Sequence, residues 1–137
     1  MTTLITAILL AGSRPTPDPL AVAAGVAIKP LAPVAGEPMI NHPARALLAH
    51  PAVGQVVILT QSSAPFAADP ATAWLTTHPQ VRFEQSGAGI ASSLLALLER
   101  GDVPFPILLT TADHVLLDSA MLDQFTQEAA GADIAVA

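Results

Sequence analysis

The chain has 137 residues, a net charge of −6, and a composition that is 52% hydrophobic and only 12% charged. This length suits a single domain with a sizeable core, and the charged fraction is about half of that usual in soluble domains. The pI near 4.8 and the 4% aromatic content argue against a nucleic-acid surface, which needs a basic stripe or a stacking platform. The lack of cysteine excludes disulfides, thiolate nucleophiles and cysteine-based metal sites.

The apolar segments are too short to span a membrane, so we expect no membrane association. Prolines, glycines and histidines interrupt each candidate before it reaches the ~18 residues of a membrane span. The amino-terminal stretch MTTLITAILLAGS lacks the basic region of a signal peptide, so its hydrophobicity indicates a core strand. We therefore expect a cytoplasmic protein.

The first half of the chain predicts two strands separated by a long loop and a helix. Residues 4–10 form a continuous apolar run, typical of a strand covered on both faces. The following stretch of some twenty residues is rich in Pro, Gly and Ala and lacks periodicity, and such a loop is uncommon in a compact domain unless it is functional. A helix is predicted to start at 36–38, with Pro43 in its first turn or at a kink. The second strand is predicted at 53–60.

The second half continues the alternation of strands and helices. Residues 61–68 are predicted as a loop, and Asp69-Pro70 as the entry to a short helix that extends through Trp74. A strand is predicted at 81–84 and a turn of small residues at 85–89. The next helix has Ile90, Leu94, Leu97 and Leu98 on one face, and a strand follows at 106–111. The last helix is predicted to be capped by Asp118 or Ser119, with Met121, Leu122 and Phe125 inward, and a final strand starts at 133–137.

This alternation predicts an α/β sandwich with a mostly parallel sheet and right-handed crossovers. In such sheets ligands bind outside the carboxyl ends of the strands. Three separate stretches follow predicted strands there, namely 11–13, 85–89 and Asp113. Their convergence on one edge predicts a ligand site.

The candidate residues at this edge have structural alternatives. Arg14 and Lys29 are the only cations before Arg45, and they lie in the long loop, where they predict an electropositive site in an acidic protein. Lys29 alone is more often a solvated loop cation. Gly12 fits either a tight turn or a close approach to a ligand, and Asp113 either turn amides or a metal.

Four motifs together resemble those of the MobA-like NTP transferases, which have a three-layer, GT-A-like Rossmann-type fold. The motifs are LAGSRPTPDPLA, Lys29-Pro30-Leu31, the segment VAGEPMI at 34–40, and LTTADH at 109–114. The resemblance implies transfer of a nucleotidyl group from an NTP, with CTP or GTP favoured, to a phosphorylated small-molecule acceptor with release of pyrophosphate. The whole of 1–137 would then be one nucleotide-binding domain.

The resemblance also implies roles for individual residues. The base and ribose would meet the first loop and a later small-residue stretch, comprising Leu10, Ala11, Gly12, Ser13, Gly87, Ser92 and Ser93, although the two later serines could equally cap a helix. Arg14 and Lys29 would hold the triphosphate, and Asp113 would hold Mg²⁺. These groups suffice for phosphoryl-type transfer, in which the protein mainly positions reactants and neutralises charge.

Two departures from the family pattern bear on the assignment. Ser13, Pro15 and Pro17 replace some of the usual glycines, which implies a stiffer loop. Relatives continue past this length and supply a second metal carboxylate and most of the acceptor pocket. We therefore expect either the amino-terminal portion of a longer protein or a reduced relative that needs a partner, such as a second copy. The alternative function is a non-catalytic nucleotide-binding or protein-interaction module on the same fold.

Overall fold

The computed structural model describes residues 3–137, so Met1 and Thr2, which begin the apolar amino-terminal stretch, lie outside it. The strands are β1 (Ile5–Leu10), β2 (Pro33–Val34), β3 (Glu37–Pro38), β4 (Val53–Thr60), β5 (Val81–Gln85) and β6 (Ile107–Thr111). The helices are α1 (Pro19–Ala24), α2 (Asn41–Ala49), α3 (Ala64–Ala68), α4 (Ala73–Thr77), α5 (Ile90–Glu99) and α6 (Ser119–Ala129), with a 3₁₀ turn at Lys29–Leu31.

Four strands form a parallel sheet in the order β5-β4-β1-β6. The chain moves from β1 outward through β4 to β5 and then returns to place β6 on the other side of β1. The strand order therefore reverses between β1 and β6, and a parallel sheet opens a crevice at the carboxyl ends of such a pair.

Alternate residues of the central strands face two separate cores. Ala7 and Leu9 of β1 pack in a larger core with Leu47 of α2 and Leu122 of α6. Ile8 lies on the opposite face, in a smaller core that includes residues of β4 and α5. Helices thus cover both faces of the sheet, and the predicted three-layer α/β sandwich with a parallel sheet is confirmed.

The prediction that the stretch after β1 lacks secondary structure is wrong. It contains α1, which Asp18 caps by accepting hydrogen bonds from the backbone of Leu20 and Ala21, and which ends at the left-handed Gly25. This helix has only six residues, too few to show a hydrophobic period. A hairpin of β2 and β3 follows, and Ala35 and Gly36 form its two-residue turn with positive φ.

The helix predicted to start at 36–38 begins later, at Asn41. Glu37 and Pro38 belong to β3 instead, because the hairpin turn pairs them with β2. Pro43 lies in the first turn of α2, where its missing N–H has no helical partner to lose.

Two further boundaries between β4 and β5 were predicted incorrectly. Part of the predicted loop at 61–68 is the helix α3, and α4 begins at Ala73 rather than at Pro70. Thr72 explains the shift, because its buried hydroxyl donates to the carbonyl of Phe66 at 2.8 Å and ties the two short helices together. Asp69 closes a turn by accepting from Ala71 N.

The carboxyl-terminal third follows most of the predictions. The helix over Ile90–Glu99, the strand Ile107–Thr111 and the cap at Asp118 are confirmed. Leu122 is buried as expected, whereas Met121 is 43% exposed because it lies off the packed face of α6. The segment 133–137 forms no strand and is exposed, which contradicts the predicted final strand. No helix within 3–137 has the length and hydrophobicity to cross a membrane.

Candidate functional site

The candidate site lies at the carboxyl edge of the sheet, where β1 and β6 end side by side. Leu10 is in register with Thr111, and Ala112 N donates to the Leu10 carbonyl at 2.9 Å. The loops that follow these strands therefore leave the sheet together. The loops after β4 and β5 emerge from the same edge, because all four strands are parallel.

Lys29 and Asp113 meet at this edge although 84 positions separate them in the chain. Lys29 Nζ lies 2.8 Å from Asp113 Oδ2, and the two side chains are 37% and 49% exposed. Thr111 donates its hydroxyl to the other carboxylate oxygen, Oδ1, at 2.6 Å. The Lys29 ammonium, and then the Thr111 hydroxyl, lower the pKa of Asp113, so this carboxylate is ionised at neutral pH.

The 3₁₀ turn explains why Lys29 is held in place. Its next two residues, Pro30 and Leu31, are buried, and the Pro30 carbonyl accepts from Ile40 N at 3.0 Å. Ala32 N closes the turn by donating to the Lys29 carbonyl. The half-buried lysine therefore extends from a backbone that is fixed by buried neighbours and by hydrogen bonds.

Arg14 lies beside a cavity of about 280 Å³ at the same edge. Residues of three loops line it, among them Ser13, Arg14, Gln61, Gly87 and Ala88. Within 3–137, Arg14 forms no salt bridge with another residue. Its guanidinium is available to an anion, whereas the charge of Lys29 is already compensated by Asp113.

Several backbone groups at the end of β1 and in the first loop are bonded within the fold. The Leu10 carbonyl accepts from Ala112, and Ala11 N donates to the Leu59 carbonyl at 3.0 Å. Ser13 N and O both bond to the side chain of Gln61. Contact of this loop with a base and ribose, through Leu10, Ala11, Gly12 and Ser13, stays a prediction. The Ala11 N–H already donates within the fold, so it is not available to a ligand.

The small residues predicted to contact the nucleotide after β5, namely Gly87, Ser92 and Ser93, take part in hydrogen bonds that stabilise a turn. Ser93 Oγ accepts from Gly87 N at 2.8 Å and donates to the Gly89 carbonyl at 2.6 Å, and Ser92 Oγ also donates to that carbonyl. Gly89, and not either serine, is the N-cap residue of α5. Gly87, Ser92 and Ser93 line a second cavity of about 190 Å³, which leaves their predicted nucleotide contact open.

Arg100 is a cation near this second cavity that the sequence did not single out. It forms a two-point salt bridge with Glu84 at 2.7 and 3.1 Å and a further one with Asp102 at 2.7 Å. The guanidinium lowers the pKa of both carboxyls. Arg100 is thus neutralised by its neighbours, unlike Arg14.

The metal prediction rests on Asp113 alone. Across residues 3–137, no three side chains of His, Asp or Glu cluster as a metal-binding group. The four histidines have other partners: His42 contacts the Val34 carbonyl, His50 contacts Asp123, His78 accepts from Gln80 N, and His114 contacts Thr110. A single carboxylate is still compatible with Mg²⁺, which is commonly held by one or two carboxylates together with substrate phosphates and water.

Two residues of this edge were missed by the sequence analysis, Gln61 and Thr111. Each one touches a predicted site residue, Gln61 through Ser13 and Thr111 through Asp113. Both lie at the carboxyl end of a strand, and that position was the available signal. Neither side chain is charged or lies in a glycine-rich stretch, so the local sequence does not mark it as a site residue.

The family relationship follows from a match along the sequence. A model of the MobA-like NTP transferase domain matches residues 7–137. This chain belongs to the MobA-like NTP transferase family. The resemblance inferred from the four motifs is therefore confirmed over nearly the whole length. A comparison with curated proteins gives no match.

Several solved structures share the fold. A hypothetical transferase from Thermus thermophilus is 22% identical, with a TM-score of 0.67 over 94% of this chain and 48% of that one. The 4-diphosphocytidyl-2C-methyl-D-erythritol synthase from Anaerococcus prevotii is 11% identical, with a TM-score of 0.66 over 93% of this chain and 51% of that one. CMP:2-keto-3-deoxy-manno-octonic acid synthetase complexed with CTP is 16% identical, with a TM-score of 0.61 over 94% and 47%. The MobA-like chain described here spans about half the length of these proteins.

Proposed function

We propose that this chain binds a nucleoside triphosphate with Mg²⁺ and serves the transfer of its nucleotidyl group to a phosphorylated small molecule. The observation that carries the proposal is the meeting of Lys29 and Asp113 at the strand-order reversal, on the same sheet edge as the cavity that Arg14 lines. One acidic and two basic groups at one edge suit a triphosphate and its cation. Membership of the MobA-like family supports the same reaction class.

The residues of the edge would divide the work of charge neutralisation. An oxygen of the acceptor phosphate attacks the α-phosphorus, the bond to the bridging oxygen breaks, and pyrophosphate leaves with the negative charge. Arg14 and Lys29 would hold phosphate oxygens on which this charge develops, and such positioned charges act mainly on the transition state. Asp113 would hold Mg²⁺, which when bound neutralises phosphate charge.

CTP and GTP are the favoured nucleotides in this proposal. CTP gains support from two similar structures, one of them a diphosphocytidyl compound synthase and the other solved with CTP. The base would lie against the first loop and the turn at 85–89, because Ser13, Gly87 and Ala88 line the same cavity.

Isothermal titration calorimetry with each of the four ribonucleoside triphosphates, with and without Mg²⁺, tests the proposal. We expect binding that requires Mg²⁺ and favours CTP or GTP, and the absence of binding to all four would refute it. Lys29→Ala removes a point charge, so it should weaken triphosphate binding far more than nucleoside binding. Arg82→Ala is the control, because it removes an equal charge from β5 that is paired with Glu84 and Asp102. Equal loss for triphosphate and nucleoside in Lys29→Ala would assign Lys29 a structural role.

A non-catalytic nucleotide-binding module is the second candidate. It is favoured by one observation: within the part of the chain that the structure describes, no three His, Asp or Glu side chains form a group that could hold a metal ion. Pyrophosphate release in the presence of phosphorylated acceptors separates the two functions. Tight, Mg²⁺-dependent binding without any release would indicate the module.

A further inference from the structure

The side chain of Gln61 bridges the ends of two neighbouring strands. Gln61 follows the last residue of β4, and its amide reaches the loop after β1. Gln61 Oε1 accepts from Ser13 N at 2.7 Å, and Gln61 Nε2 donates to the Ser13 carbonyl at 2.9 Å. One side chain therefore satisfies both backbone groups of a single loop residue.

These two bonds extend the pairing of β1 and β4 beyond the ends of the strands. The backbone ladder reaches Ala11 N, which donates to the Leu59 carbonyl. Two residues further, the Gln61 amide supplies the donor and acceptor that a peptide group of a longer β4 would supply. The loop is thus held as if it were still part of the sheet.

Gly12 fits closely against the same amide. A Cβ atom at position 12 would lie 3.2 Å from Gln61 Nε2 and 3.4 Å from Oε1. The shorter distance is tighter than ordinary packing, so a side chain at position 12 would require the Gln61 amide to shift by a few tenths of an ångström. The close approach gives this glycine a specific role in addition to any contact with a ligand.

We propose that Gln61 is a positioning residue for triphosphate binding, acting through the backbone of Ser13 on the next residue, Arg14. Gln61 and Arg14 line the same cavity. A fixed backbone at Ser13 reduces the conformational freedom that Arg14 loses when it binds an anion. The inference rests on the proposed function, because it concerns how well Arg14 holds phosphate.

The test compares Gln61→Ala with the wild type in titrations with CTP and GTP plus Mg²⁺. We expect affinity for the triphosphate to fall by about 3- to 10-fold, the range for losing one pre-ordered side chain. Gln61→Glu keeps the shape but has no donor for the Ser13 carbonyl, so it should weaken binding at least as much. Gln80→Ala is the matched control: Gln80 Nε2 donates to the Gly54 carbonyl at the opposite end of the sheet, and its loss should leave affinity unchanged.

Arg14→Ala distinguishes positioning from direct contact or general stability. In an Arg14→Ala background, Gln61→Ala should cause no further loss of triphosphate affinity, because its effect passes through Arg14. A full additional loss in the double variant would overturn the assignment, and so would wild-type affinity in Gln61→Ala.

Hydrogen exchange of the Ser13 amide tests the bridge without any nucleotide. In the ligand-free protein, the Ser13 amide hydrogen should exchange faster in Gln61→Ala than in the wild type. In Gln80→Ala its exchange rate should equal that of the wild type. Unchanged exchange would refute the bridge. A wild type that binds no triphosphate would refute the proposed function instead, and the exchange experiment would still decide whether Gln61 holds the loop.

Discussion

Asp113 holds two partners that a metal ion would have to share or displace. Lys29 bonds one carboxylate oxygen and Thr111 the other. Because both side chains of the Lys29–Asp113 pair are more than a third exposed, the pair contributes about 0–1 kcal/mol to stability. Such a weak pair is easily exchanged for a cation on the carboxylate and phosphate on the ammonium.

We expect Asp113→Asn to abolish the Mg²⁺ dependence of NTP binding and to leave the fold intact. Asparagine keeps the size of the side chain and one carbonyl oxygen, but it lacks the charge that a hard cation requires. The variant should bind NTP equally with and without Mg²⁺ in calorimetry, and its melting temperature should stay within a few degrees of the wild type.

Asp102→Asn is the control, since Asp102 also accepts a hydrogen bond from a cation, at 2.7 Å from Arg100. Its Mg²⁺ dependence should equal that of the wild type. If Asp113 only stabilised its turn, Asp113→Asn would lower the free energy of unfolding by about 1–3 kcal/mol and leave the metal dependence unchanged.

At the scale of elements, Asn41 joins α2 to α4. Asn41 is only 1% exposed. Its Nδ2 donates to the Ala71 carbonyl at 3.0 Å, and its Oδ1 accepts from Trp74 Nε1 at 3.3 Å. Arg45 adds a second link, because it pairs with Glu37 and lies 5.7 Å from the centre of the Trp74 ring. These contacts fix α4, which is too short to be a stable helix alone.

Asn41→Ala should lower the free energy of unfolding by about 1–3 kcal/mol, because it removes both the donor and the acceptor of these two part-buried hydrogen bonds. Trp74→Phe removes only one of these bonds and keeps an aromatic ring, so it should cost less. Urea unfolding followed by circular dichroism measures both variants. Equal losses, or no loss in Asn41→Ala, would show that α4 is held by apolar packing alone.

At the scale of the whole molecule, the two faces of the sheet are covered unequally. The larger core contains residues from five helices or from the segments next to them, namely α1, α2, α3, α4 and α6. In the smaller core, the helical residues come from α5. Leu109 of β6 shares a face with Ile107, which packs on the smaller core, yet Leu109 is 48% exposed. Phe105, just before β6, is 69% exposed.

This apolar surface should bind a hydrophobic fluorescent dye in the native protein. Leu109→Thr introduces a β-branched residue, which suits a strand, and should reduce the dye fluorescence with little change in melting temperature. Val136→Thr is the control, because Val136 is exposed in the carboxyl-terminal segment away from any strand. Equal fluorescence in Leu109→Thr and the wild type would place the dye elsewhere.

Hydrophobic patterns along the chain were sufficient to predict β1, β4, β5 and β6, and with them the edge at which the site lies. Strands covered on both faces are mostly apolar, so β1, β4 and β6 each contain a run of consecutive apolar residues. Asp113 was predicted at the site because it follows such a run directly. The family motifs could also be recognised from the sequence, because each motif consists of residues that are close together in the chain.

Which residues meet at this edge depends on contacts between distant parts of the chain. Lys29 pairs with Asp113, and Gln61 bridges to Ser13, across 84 and 48 positions of the chain. The local sequence does not indicate either contact, because both form only when the sheet places β1 between β4 and β6. Short elements such as α1 and α3 were missed for a related reason: they have too few residues for a period, and their stability comes from packing on the rest of the fold.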